Sequence, residues 1–229
     1  MSSLPSDLKA IGQLIDTSWI DRMQAENPED AERKDRESEK AQKEEANRKA
    51  ASLFEAANVP ERHKHAKPEK AGSWGAAWAK IEPLLGQGSI IPIVGTRGSG
   101  KTQLAVEAVR FVCLAHRPCL YTKAMGVFLD IREGMKTKDK SEREAIQALI
   151  KPSLLVIDAM EVRGETDFEN RVLDYLVDLR YDAGLDTILI SNHTRKEFGE
   201  SLGLSIISRI HESGDIVECS WESFRKRPQ

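Results

Sequence analysis

The spacing of apolar residues changes character three times along the chain. Leu8, Ile11, Leu14, Ile15, Trp19, Ile20 and Met23 recur at helical intervals, which predicts a short amphipathic helix with one sticky face. From Gln24 to Ser52 the pattern vanishes: apart from Pro28, no apolar side chain there is larger than alanine. Charges alternate instead, as Glu29/Arg33, Asp30/Lys34, Glu32/Arg36, Glu39/Lys43, Glu44/Arg48 and Glu45/Lys49, each pair four residues apart. Such pairs contribute about 0.2–0.5 kcal/mol each and favour a solvated helix, with Asn27-Pro28 as its start signal. A helix of this kind has no face to bury. It serves either as a charged spacer or as an arm for a partner.

NVPERHKHAKPEKAGSWG, residues 58–75, mixes prolines, glycines and charges, and predicts a linker that ends the arm. His63 and His65 flank Lys64 in it and read as part of a solvated basic stretch. After Trp74 the texture changes again. The pattern predicts a helix near 78–85, a strand near 90–94, a helix over 101–116 and a strand over 119–122. Then follow a helix over 124–135, a strand over 153–158, a helix over 167–183 and a strand over 187–191. Strands alternating with helices predict an α/β fold, a parallel sheet covered on both faces. The expected organisation is a helical N-terminal arm over 1–57, a linker over 58–73 and an α/β domain over 74–229.

Composition narrows the class. A chain of 229 residues with a net charge of -3 is no generally basic nucleic-acid binder, so any DNA contact must come from a local patch. The three cysteines, Cys113, Cys119 and Cys219, are odd in number and lack metal-ligand spacing, which points to free thiols in a reducing cytoplasm. No apolar run reaches the roughly 18–20 residues that span a bilayer, so no membrane partner is expected.

The chemistry concentrates in two stretches. Gly95, Thr96, Arg97, Gly98, Ser99, Gly100, Lys101 and Thr102 fit G-x-x-x-x-G-K-[ST] between a strand and a helix, the context this phosphate-binding loop requires. Small residues let the backbone wrap ATP phosphates, so that amide N–H groups and the helix N-terminus face the charge. Lys101 is expected on the β- and γ-phosphates, and Thr102 on Mg2+. LLVIDAME, residues 154–161, supplies the second half: Asp158 ends a buried strand and is the expected second holder of Mg2+. Asn192, at the end of the strand in TILISNHT, is placed to orient water near the γ-phosphate, and Arg209 in SIISRIHE to complete a neighbouring subunit's site.

GTRGSGKT, LLVID, NRVLDYLVDLRYDAG, ILISNHT, ESLGLSIISRI and CSWESFRKR, in this order from about Val59 to Arg225, resemble the bacterial and phage helicase loaders of the DnaC type. These are AAA+ ATPases related to the IstB transposition helpers. The resemblance implies a P-loop αβα sandwich on a central parallel five-stranded sheet of order 5-1-4-3-2, with a lid domain minimal or absent. It implies Arg209 as an inter-subunit finger, Asn192 as a nucleotide sensor and Arg225 as a nucleotide-proximal arginine. It further implies an N-terminal arm gripping a DnaB-type replicative helicase hexamer, self-association through ATP sites, and contact with single-stranded DNA near the second strand. There Lys123, Arg132 and Lys136 supply charge, and Phe128 is a candidate base contact unless it belongs to the core.

One position departs from that pattern. The family carries glutamate after the strand-end aspartate to activate water, and this chain has Ala159. Loss of a general base costs about 10²–10⁴-fold in rate, so ATP binding should survive while hydrolysis is impaired. Glu161, past the strand end, is the nearest replacement, with its reach to water left open. The alternatives are an IstB-like transposition ATPase, a non-catalytic ATP-gated adaptor, and a small-molecule kinase. The tight run from Asn192 to Arg209 leaves the last little room for a substrate lid.

Overall fold

A computed structural model describes residues 28–66, 72–134 and 142–224. The amphipathic helix expected over 8–23 lies outside them. The chain divides between Glu45 and Ala46 into two compact units. Helix α1 (Pro28–Ala56) carries the charged pattern, with exposed side chains from Arg33 to Glu45 and an Arg33–Glu37 pair at 3.8 Å. Ala46 onward belongs to the second unit, described below.

The second unit is built on five parallel strands: β1 (Ile90–Gly95), β2 (Cys119–Lys123), β3 (Leu154–Asp158), β4 (Asp186–Ile190) and β5 (Val217–Cys219), in the order β2-β3-β4-β1-β5. Read from the other edge, this is the expected 5-1-4-3-2. Strand residues alternate strictly between two cores. Ile91, Ile93, Leu154, Val156, Ile188 and Ile190 face one, with α2 (Glu61–Lys64), α3 (Gly72–Ile81) and α4 (Lys101–Leu114) on that side. Ile90, Val94, Leu155, Ile157 and Leu189 face the other. That side is covered by α5 (Ala124–Gly134), α6 (Glu142–Ile150), α7 (Asp167–Asp182), α8 (Arg195–Glu200) and α9 (Leu204–Ser213).

Pro92 in a central strand has a local explanation. Ser89 and Ile93 accept from Thr187 and Ser191 on the β4 side, so the neighbouring Pro92 faces the β5 side. Pairing with β5 begins only at Ile93, and the missing N–H leaves no ladder bond unmade.

Two expectations change. The stretch leading from α1 to Lys64 is no free linker: Phe54, Ala57 and Val59 are buried in the first core, Tyr121 N–H donates to Ala57 O at 2.7 Å, and Arg110 sits over the Phe54 ring while donating to Lys64 O. The boundary of the domain therefore lies before Ala46, within α1. Helix α6 is absent from the sequence expectation, because it is short and buries only Ile146 and Leu149.

The start of β4 is fixed by a buried network. Arg180 on α7 donates to Thr187 Oγ1, Leu149 O, Pro152 O and Asp186 O. Burial pushes its pKa down to about 10, so it remains charged at neutral pH. The Asp186 carboxylate accepts from the backbone N–H groups of Gly86, Gly88 and Ser89, tying the turn before β1 to β4. Arg180→Ala strands several buried acceptors, each costing about 1–3 kcal/mol. Urea unfolding is expected to show a loss of about 3 kcal/mol or more, with no recovery in Arg180→Lys, whose single ammonium cannot span the fork.

Candidate nucleotide site

The carboxyl ends of β1, β3 and β4 open on one cleft of about 930 Å³. Ligands of open parallel sheets settle at such ends. Arg97, Gly98, Gly100, Lys101, Thr102, Asp158, Ala159, Glu161 and Asn192 all line it. The fold thus gathers the residues of both sequence stretches.

The loop after β1 has a strained course. Gly95, Gly98 and Gly100 have φ of 127°, 86° and 88°, values that side chains rarely tolerate. Space is also short, since a Cβ on Gly95 would lie 2.3 Å from Cys219 O. Gly95 N–H donates to His193 O at 3.0 Å, and Ser99 Oγ to Thr96 O at 2.8 Å. Lys101, at the first turn of α4, donates to Gly95 O and Thr96 O, both at 2.7 Å.

From the other side the loop is gripped by the segment after β5. Trp221 Nε1 donates to Ser99 O at 2.9 Å, Phe224 N–H to Gly98 O at 2.9 Å, and Thr96 Oγ1 to Trp221 O at 3.3 Å. Trp74 and Phe224 flank Gly100, and Trp74 stacks on Trp78 with centroids 6.3 Å apart. Arg62, His63 and Trp74, from the segment read as linker, line the same cleft.

Asp158 is organised by Tyr121, whose hydroxyl donates to Asp158 Oδ2, while Ala159 N–H donates to Oδ1 at 2.8 Å. Burial, then the Asp158 charge and hydrogen bond, push the Tyr121 pKa far up, with a hydrogen bond from Thr102 pulling the other way. Thr102, Tyr121 and Asp158 thus form one chain of hydroxyls and carboxylate. Sequence reading missed Tyr121, because a tyrosine in a strand reads as core. The register Thr122↔Ile157 and Lys123↔Asp158, had it been known, would have placed it beside the aspartate. A threonine hydroxyl and a carboxylate, both hard oxygen donors, fit Mg2+ shared with phosphate and water.

Asn192 is in the cleft and Glu161 holds it: the Asn192 side-chain amide donates to Glu161 Oε1, and its N–H to Oε2 at 3.1 Å. Arg209 lies on α9, outside this cleft. It donates to Asp178 and Ser205 and sits 5.4 Å from the Tyr181 ring centroid. Of the candidate DNA contacts, Phe128 is corrected: it is 2% exposed in the second core, so its ring has no face for a base. Lys123 and Arg132 are exposed, Arg132 lying 5.0 Å from the Phe168 ring centroid. Lys136 and Arg225 lie outside the described residues.

The family described as IstB-like ATP binding protein matches residues 33–229. The chain belongs to this family. It is 25% identical over 134 residues to the replicative helicase loader DnaC of Escherichia coli K12, which is 58% of this chain and 55% of that protein. The match thus spans about half the length of that relative. A crystal structure of the DnaC helicase loader aligns with TM-score 0.56 at 18% identity, covering 72% of this chain and 97% of that one. AMPPCP-bound DnaA from Aquifex aeolicus aligns with TM-score 0.59 at 20% identity, covering 70% and 51%. At such identities the structural likeness establishes the fold alone, the αβα sandwich on a five-stranded parallel sheet expected from sequence.

Because folded Tyr121 holds its proton more tightly than the unfolded chain does, the stability it contributes is complete below its ordinary pKa of 10.0 and is lost as pH rises beyond it. Stability should therefore decline above about pH 10, and Tyr121→Phe should flatten that decline. Chemical denaturation across alkaline pH reads both.

Proposed function

We propose that this chain is an ATP-dependent helicase loader that docks on a replicative hexameric helicase and passes single-stranded DNA to it. What carries the reading is the convergence of a complete phosphate loop, Asp158 and Asn192 in one cleft, in a chain similar to a replicative helicase loader over 134 residues.

In this reading Lys101 turns from the Gly95 and Thr96 carbonyls to the β- and γ-phosphates, with Arg97 beside it. Thr102 and Asp158 hold Mg2+, and Tyr121 keeps the Asp158 carboxylate oriented. Mg2+, when bound, would neutralise phosphate charge. Arg62, His63, Trp74 and Phe224 supply the walls toward the base, and Arg225 keeps the nucleotide-binding role that the resemblance implies. Arg209 acts on the site of a neighbouring subunit, so that ATP joins the subunits. It must first leave Asp178. Single-stranded DNA binding rests on charge at Lys123, Arg132 and Lys136, since Phe128 offers no stacking surface. Ala159 contributes no carboxylate, so a water-activating carboxylate has to come from elsewhere in the cleft.

The charged part of α1 and the residues before it form the helicase-binding arm in this reading. The test must cut before Ala46, because removing Ala50, Phe54 and Ala57 would tear the core. Deleting residues 1–45 should abolish co-elution with a hexameric replicative helicase while fluorescent ATP analogues still bind. Undiminished helicase affinity would rule out the arm. Lys101→Ala should remove nucleotide binding, and retained affinity would overturn the site.

The family match also favours a second reading, a transposition accessory ATPase acting on double-stranded DNA. Competition between single- and double-stranded oligonucleotides separates the two. For the loader, single strands win. Lys123→Ala and Arg132→Ala should then each weaken binding and lower the salt slope by about 0.7.

A further inference from the structure

Ala159 deprives the strand end of its adjacent carboxylate, yet the backbone returns one to the cleft. Ala159 has φ of 58°, the left-handed region that residues with a Cβ seldom enter. The chain turns there, immediately after β3, into the short turn of Met160–Val162. Met160 is buried in the second core and anchors the turn. The next residue, Glu161, lines the cleft together with Lys101, Thr102 and Asp158. Its carboxylate is not left to wander. Oε1 accepts the Asn192 side-chain amide, and Oε2 accepts Asn192 N–H at 3.1 Å and Ser191 Oγ at 3.4 Å.

A carboxylate with three donors from the end of β4, in a cleft beside the phosphate loop, is more than a surface charge. We propose that Glu161 is the water-activating base of this chain, carried in by the left-handed turn at Ala159, and that Asn192 is its positioning residue. The proposal rests on the reading of the cleft as an ATP site.

In the step, the Glu161 carboxylate takes a proton from water as the water oxygen bonds to the γ-phosphorus. The bond from that phosphorus to the β,γ-bridging oxygen breaks, and its electron pair stays on ADP. Inorganic phosphate leaves, and the proton on Glu161 passes to solvent. No group beyond ATP, water and the magnesium of the proposed site is needed.

The experiment measures nucleotide affinity and steady-state ATP hydrolysis by the full chain, Glu161→Gln, Glu161→Ala and Ala159→Glu, across protein concentration and with and without single-stranded DNA. Glu161→Gln should bind ATP as the parent does and lose turnover about 10²–10⁴-fold, together with the acid limb of the kcat–pH profile. In Glu161→Ala, added formate should restore part of the rate, which a merely structural role would not allow. Turnover unchanged in Glu161→Gln, or tight ATP binding by the parent with no turnover that only Ala159→Glu installs, overturns the assignment and leaves the site reading standing. No ATP binding by the parent overturns the site reading, and this proposal with it.

Discussion

Insertion of β1 between β4 and β5, rather than beside its sequence neighbour β2, is the constraint on which the cleft depends. Parallel strands cannot be joined by tight turns, so each crossover carries a helix over one face or the other. With β1 next to β4, the loop after β1 meets the end of β4 directly, as the Gly95–His193 hydrogen bond records. With β3 on the far side of β4, Asp158 and Glu161 arrive from one flank and the Trp221 segment from the other. The Arg180–Asp186 network serves the same end, because it holds the turn before β1 against the start of β4. A shift of one residue there would exchange the two faces of the strand.

The sheet was legible in the sequence because its strands are short apolar runs bounded by turn residues, and alternation with helices admits few topologies. The phosphate loop was legible because its chemistry is local: glycines, lysine and threonine act within eight consecutive positions. What escaped was non-local. Arg62 and His63 sit in a charged, proline-bearing stretch whose composition hides that Phe54, Ala57 and Val59 around it are core. Tyr121 gains its role only from the register of β2 against β3. Phe128 was ambiguous because α5 is apolar on more than one face: Val127, Phe128 and Ile131 are buried, while Met125 and Leu129 are exposed. Periodicity alone cannot say which of these the sheet covers.

Ala159 shows the limit of reading function from adjacency. A motif fixes which residue follows which, whereas a reacting atom responds to distance and direction. A left-handed residue and a single short turn convert position 161 into the neighbour of the β4 terminus that position 159 is not. The same logic applies to Arg209, whose partners Asp178 and Ser205 occupy it within its own chain. Whatever draws it to another subunit must compete with an ion pair.

The grip of Trp221 on Ser99 has a consequence for how the protein is made. The two residues are 122 positions apart, and the Cys219 carbonyl that crowds Gly95 comes equally late. On the ribosome, at about 5–20 residues per second, the phosphate loop is exposed for many seconds before its brace exists. During that interval its glycines are free to sample every conformation open to them. The phosphate loop therefore gains its full set of packing and hydrogen-bond partners only late in synthesis.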